Sequence, residues 1–146
     1  MSDENIFSQR FEIRGGDFSN AGKTSTSIKE ILQEVGIDSS IIIRASIASY
    51  EAEMNVVMYA QKAILTLNIT PEKLHLRLED DGPGIENVEL AMKEGFSTAT
   101  EKMREMGFGA GMGLPNIKKN ADEFQVISQP GKGLSLDITI YLNSTG

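Results

Sequence analysis

Five stretches of the chain carry apolar residues with the period of a strand, and three others repeat them at the spacing of a helix. Residues Ile6 to Arg14 predict a short edge strand, which Gly15 and Gly16 end. Asp17 or Ser19 is placed to cap a first helix with an apolar stripe of Ala21, Ile28, Ile31, Leu32 and Val35 and a stop signal at Gly36. A second, more apolar helix starts at Asp38 or Ser39 and runs to about Gln61. KAILTLNI and KLHLRLED, joined by Thr70-Pro71-Glu72, predict an antiparallel hairpin. Residues 86–106 are polar, keep no period and read as a lid. Past the glycine-rich run at 107–113, Pro115 is placed to open a helix to about Glu123, and FQVISQ and LSLDITIYL flank Pro130-Gly131-Lys132-Gly133 as closing strands. Hairpins rather than right-handed crossovers join most strands. That favours the α+β class: a two-layer α/β sandwich with a mostly antiparallel sheet and helices on one face.

Length and composition narrow the functional classes. A chain of 146 residues without internal repeat or linker fits a single domain over 1–146. A net charge of −7 disfavours nucleic acid or an anionic membrane as the main partner, because both reward clustered Lys and Arg. The absence of cysteine excludes thiol catalysis, thiolate zinc sites and disulfides. MSDENIFSQR has neither a basic nor an apolar leader region, and no apolar run is long enough to span a bilayer, so a cytoplasmic protein is expected.

One motif nearly fits a phosphate loop. GGDFSNAGKTS at 15–25 imitates G-x-x-x-x-G-K-[ST], but five residues separate Gly16 from Gly22 and six separate Gly15 from it, where the pattern needs four. One extra residue redirects the backbone N–H donors, so Lys23 and Thr24 are expected on the first turns of a helix.

Three polar features break the apolar pattern instead. At about 100° per residue, Ile43, Ile47, Met54 and Met58 gather on one side of the second helix and Ala45, Ala48, Ala52 and Tyr59 on the adjoining one. Glu51 and Asn55 fall between the two groups, whereas Glu53, Ser49 and Ser46 point nearly the opposite way and are expected in solvent. A carboxylate and an amide on a buried face need partners, since an unpaired buried charge costs several kcal/mol; a partly exposed polar pair at the stripe's edge is the alternative. Asp80 continues the face of Leu74, Leu76 and Leu78 where the strand ends, a position also suited to an Asx residue opening a turn. GFGAGMGLPN places glycines at 107, 109, 111 and 113 before a helix start without Asp or Glu, with Lys118 and Lys119 beyond. Such a start suits an external anion such as a polyphosphate, although a glycine cluster alone is more often a flexible loop.

Taken in order, Glu51-Ala-Glu-Met-Asn55, Asp80-Asp-Gly-Pro-Gly84-Ile85, Gly109-Ala-Gly-Met-Gly113-Leu114 and Gly131-Lys-Gly133 resemble the N, G1, G2 and G3 boxes of the Bergerat-fold (GHKL) ATPase superfamily. Its members include DNA gyrase, MutL, sensor histidine kinases and anti-sigma regulatory serine/threonine kinases. The resemblance implies ATP and Mg2+ as cofactors. It implies that Asn55 coordinates Mg2+, that Asp80 accepts a hydrogen bond from the adenine amino group beside Gly82, Gly84 and Ile85, and that Gly109, Gly111, Gly113 and Leu114 border the phosphates. It implies for Glu51 the role of general base or polarising carboxylate toward the attacking hydroxyl.

Gyrase- and MutL-type members carry a second domain for which this chain has no room. Histidine kinases carry a phosphoacceptor histidine, while His75, the only one here, falls mid-strand and is expected at the surface. EGFSTA and MGLPNIKKNADEF are similar to the anti-sigma branch. That branch implies a serine/threonine protein kinase acting on an anti-anti-sigma (STAS-like) antagonist, binding a sigma factor, and able to pair as a homodimer. The rival implication is a nucleotide-gated module that sequesters a sigma factor or other regulator without phosphotransfer. Two positions depart from the superfamily pattern. Met58 and Tyr59 stand where histidine kinases carry Lys or His, leaving Lys102 or Arg104 to meet phosphate charge, and Leu134 stands where threonine usually follows the last glycine and is expected to pack inward.

Overall fold

The computed structural model describes residues 7–82, 92, 113–129 and 132–142. They run in the order β1 (Phe7–Arg14), a 3-10 turn (Phe18–Asn20), α1 (Lys23–Val35), α2 (Ser39–Tyr59), β2 (Lys62–Ile69), β3 (Lys73–Asp80), α3 (Gly113–Asn120), β4 (Glu123–Gln129) and β5 (Gly133–Tyr141). The strands form one sheet in the order β1-β2-β3-β5-β4, antiparallel at every pair. The α+β class and the antiparallel sheet match expectation. The expected lid (apart from Met92, which packs on the core) and the expected site residues Gly84, Ile85, Lys102, Arg104, Gly109 and Gly111 lie outside the described residues.

The register turns the period of two into rows of side chains. Phe11, Leu65, Leu78, Leu136 and Val126 pair successively across all five strands. The next row toward the site end is Ile13, Ala63, Asp80, Leu134 and Ser128. Leu65, Leu67, Leu74, Leu76, Leu78, Leu136, Ile138 and Ile140 are wholly buried beneath Ile28 and Leu32 of α1 and Ile117 of α3. Each contributes roughly 1.5–3 kcal/mol by leaving water, and a slip of one residue would turn the whole row to the other face. On that other face Arg77 Nη1 donates to both Asp137 oxygens at 2.9 and 3.0 Å, and His75 Nε2 lies 3.0 Å from Oδ1. His75 is therefore a partly exposed member of a polar cluster, as expected.

The helices lie side by side, α1 against α2 and α2 against α3, with α2 also touching β1, β2, β3 and β5. Asp38 caps α2 by accepting from Ser40 N at 3.1 Å. At the end of α1, Gly36 adopts φ +89, its N–H bonds Gln33 O at 3.2 Å and the Ile37 N–H bonds Leu32 O at 3.0 Å, a Schellman stop. Two boundaries differ from expectation. Helix α1 begins at Lys23, because Asp17 closes a separate 3-10 turn in which Asn20 Nδ2 donates to it at 2.8 Å. Helix α3 begins at Gly113 and ends at Asn120, so Pro115 is its third residue, still in the first turn where a missing N–H costs no intrahelical bond.

The largest correction concerns the faces of α2. Ile43 and Ile47, expected on the apolar side, are 61% and 37% exposed, whereas Ser49 is buried and Glu53, expected in solvent, is 2% exposed. A helix flanked by two others and by the sheet is covered on several sides, so no single apolar stripe marks its buried face. Glu53 is tolerated there because it has partners, which lie on α1.

Candidate functional site

Those partners are the donors of the phosphate-loop imitation. Gly22 N and Thr24 N donate to Glu53 Oε2 at 3.0 and 3.2 Å, and Ser25 N donates to Oε1 at 3.0 Å. A helix N-terminus attracts an anion. Here the chain supplies its own carboxylate from the neighbouring helix, while Lys23 points outward and is exposed.

The open sites lie elsewhere on α2 and at the end of β3. Asp80 ends β3 on the inward face, half-buried. Its Oδ1 accepts from Gly82 N at 2.9 Å and from Leu134 N at 3.0 Å; its Oδ2 accepts nothing among the described residues and stays available as an acceptor. The Leu134 donor arrives because Gly133 precedes it. With φ +142, and with space for a Cβ only 2.3 Å from Asp80 O, position 133 admits glycine alone at this close approach of β5 to β3. The Leu134 side chain packs inward as expected, and its backbone N–H is what holds Asp80. Gly82 runs along the end of α2, where a Cβ would lie 3.2 Å from Tyr59 O.

Asp80 and Asp81 are neighbours in opposite environments. Burial pushes the Asp80 carboxyl above the usual carboxylate range, against the pull of the Gly82 and Leu134 N–H bonds and with a further rise from the charge of Asp81. Asp81 faces solvent, and the Lys62 N–H at 2.9 Å, joined by that of Gln61 at 3.1 Å, holds its carboxyl below that range. Asp81 braces the start of β2, which leaves Asp80 as the carboxylate with a free oxygen turned inward.

The second group lies on the seam between α2 and α3. Ile43, Ile47, Glu51 and Asn55 follow one another four residues apart and share one ridge of α2. Glu51 is half-buried, and its Oε2 accepts from Asn116 Nδ2 at 3.0 Å. A Cβ at Gly113 would stand 3.7 Å from Glu51 Oε1, so the first turn of α3 rests against this carboxylate. Asn55, one turn on, makes no side-chain hydrogen bond among the described residues. Arg44 holds the far end of the seam: Nε donates to Asn120 O at 3.0 Å and Nη2 pairs with Asp122 at 3.1 Å. The first turn of α3 carries no acidic side chain, and Lys118 and Lys119 close its last turn. Leu114 is buried, so only its backbone can face a ligand.

From Glu51 through Asn55 to Tyr59, beside Gly82, the rise of 1.5 Å per residue makes a path of about 12 Å along α2. At one end stands a carboxylate hydrogen-bonded to a neutral amide, at the other a half-buried acceptor.

Comparisons with known proteins place the chain in a family. Residues 40–145 match the model of the histidine kinase-, DNA gyrase B- and HSP90-like ATPases. The chain belongs to that ATPase family. Within the family it is similar to the serine/threonine-protein kinase RsbT of Bacillus subtilis (strain 168), 29% identical over 118 residues, 78% of this chain and 83% of RsbT. It is also 32% identical to the anti-sigma F factor of Thermoanaerobacter sp. (strain X514) over 124 residues, 85% of this chain and 79% of that protein. Among solved structures, one chain of the SiaB-SiaC complex from Pseudomonas aeruginosa superposes with a TM-score of 0.60 over 90% of this chain and 88% of that one. At 12% identity that likeness concerns the fold.

The structure sets Glu51 with Asn55 on one ridge of α2 and Asp80 with Gly82 at the sheet end, and places Gly113 at the start of α3. Two contributors carried no sequence signal of their own. Asn116 is an ordinary polar residue of a helix, and the Leu134 N–H is a backbone group that any residue would supply.

Proposed function

We propose that this ATPase-family chain is a Mg2+-ATP-dependent protein serine/threonine kinase that phosphorylates an anti-anti-sigma antagonist and also binds a sigma factor. The observation that carries the reading is Glu51. Among the described residues its hydrogen-bond partner is the neutral amide of Asn116 rather than an Arg or Lys, which orients the carboxylate for the role of a general base. A module that only binds nucleotide has no use for such a group.

ATP, when bound, supplies the phosphoryl group and the leaving ADP. The residues present fit it: Asp80 Oδ2 is a half-buried acceptor without a partner among the described residues, suited to the adenine amino group, and Gly82 brings backbone close to the base. Asn55 offers a hard oxygen ligand to Mg2+, an ion that keeps several waters and needs few protein ligands. The backbone of Gly113 and Leu114 opens α3 without an acidic side chain, and the family pattern adds Gly84, Ile85, Gly109 and Gly111, with Lys102 or Arg104 meeting phosphate charge. Glu51 takes the proton of the attacking hydroxyl as its oxygen bonds to phosphorus. The relatives named anti-sigma F factor support a sigma factor as second partner. No helix among the described residues is long and apolar enough to cross a membrane. A cytoplasmic location and a homodimer complete the reading.

The test is to incubate the purified chain with γ-labelled ATP, Mg2+ and the antagonist proteins encoded near its gene. Label on a serine or threonine of one of them is the expected result. Tight ATP binding with transfer to none would make the chain a nucleotide-gated binding module.

Acidification provides a separate test of the adenine contact. Only ionised Asp80 offers a free acceptor at Oδ2, and burial raises the pH at which it takes up a proton. ATP affinity should therefore fall on acidification earlier than an ordinary aspartate would dictate, as followed by equilibrium binding across the acidic range. An affinity that stays flat until the whole fold melts would contradict the assignment.

A further inference from the structure

The apolar side chains exposed on α2 are contiguous. Ile43 and Ile47 are 61% and 37% exposed and precede Glu51 and Asn55 on the same ridge, each about 6 Å from the next along the axis. Tyr50 flanks the ridge, 40% exposed, with its ring edge toward the start of α1, where a Cβ on Gly22 would lie 3.7 Å from Cε1. Single exposed apolar residues need no explanation, but a row of branched aliphatic side chains leading into a site marks an interaction surface.

We infer that Ile43, Ile47 and Tyr50 form the docking ridge for the protein substrate, which lays an aliphatic side chain on Ile43 and Ile47 and so brings its Ser or Thr hydroxyl to Glu51 one turn further on. The inference rests on the kinase reading above. Its occupant follows from the continuity of the ridge with that site. The C-terminal side of Glu51 leads through Asn55 to Gly82 and Asp80, the nucleotide side, so a protein whose hydroxyl reaches Glu51 must cross the N-terminal side, where Ile47 is the next turn. The chemistry specifies the partner further: an aliphatic residue about 6–12 Å from the acceptor hydroxyl. Ile43, Ile47 and Tyr50 carry no charge, and their neighbour Arg44 is already paired with Asp122. Docking should thus depend little on salt.

The experiment uses the full chain and the antagonist protein that accepts label from it. In the Ile43→Ser/Ile47→Ser double variant the KM for that antagonist should rise about tenfold or more through lost apolar burial. Its kcat at saturation, ATP affinity and Tm should stay close to wild type, because both side chains lie outside the core. The Ile47→Leu variant, which keeps an aliphatic contact, should retain most of the wild-type KM. An unchanged KM in the double variant overturns the inference while leaving the kinase reading in place. The inference is overturned in the same way if the double variant changes only self-association, measured by light scattering, since the ridge would then serve a second copy of the chain. Failure of the wild type to label any antagonist removes the kinase reading and the inference together.

Discussion

Asp80→Asn should weaken ATP binding about tenfold to a hundredfold, the worth of a hydrogen bond to a charged group, while thermal stability stays at or above that of the wild type. The amide keeps an Oδ1 able to accept from Gly82 N and Leu134 N, so the end of β3 holds its shape. It places an NH2 where the carboxylate had Oδ2, so a donor meets the adenine amino donor. The stability side follows from linkage. The folded pKa of Asp80 is raised above the unfolded one, so its contribution to stability is present below the unfolded pKa and is lost as pH rises through the folded pKa. At neutral pH the ionised, half-buried carboxylate weighs against folding, and the neutral amide removes that burden. Calorimetric titration with ATP, paired with thermal melts near neutral pH, reads both quantities. Wild-type affinity in the variant would show that Asp80 does not hold the base.

The complementary variant is Glu53→Ala, two residues from the proposed base. It removes an acceptor of three N–H groups at the start of α1, of which that of Ser25 is buried and those of Gly22 and Thr24 are partly buried. Helix caps contribute roughly 0.5–2 kcal/mol and each stranded buried donor about 1–3 kcal/mol. A loss of about 2–4 kcal/mol is expected, which at roughly 2–4 °C per kcal/mol for a chain of this size lowers Tm by about 5–15 °C. Glu53→Gln should lose less, since one carbonyl oxygen can still accept. Hydrogen exchange should show the loss first at the amides of Thr24 and Ser25. A melt within about 2 °C of wild type would mean that the contact contributes little. Lys23→Ala should leave ATP binding intact, because the N–H groups around Lys23 already hold an anion.

How much could be read without coordinates depended on whether the signal sits in one element or between two. The strands were legible because a sheet covered by helices on one face imposes strict alternation, and that alternation alone placed Asp80 inward. Gly36 marked the end of α1 for an equally local reason, a backbone angle that suits glycine. Helix α2 was not legible as a face: it is covered by α1, α3 and the sheet, and the decisive contact of Glu53 is with residues about thirty positions earlier in the chain. The same distance effect turned Ile43 and Ile47 from supposed core into exposed surface. The Leu134 N–H could not be foreseen because it is main chain, and it reaches Asp80 only because β5 enters the sheet between β3 and β4.

Glu51 is the residue on which the kinase reading stands, and the most direct measurement is single-turnover transfer from labelled ATP to the antagonist by Glu51→Gln. Glutamine keeps an oxygen for Asn116 Nδ2 and so preserves the seam between α2 and α3. Removing a general base costs about 10²–10⁴ in rate. The predicted result is a loss of at least about a hundredfold in transfer with ATP affinity and Tm at wild-type values. Transfer at the wild-type rate, or a loss matched by an equal loss of ATP affinity, would contradict the account.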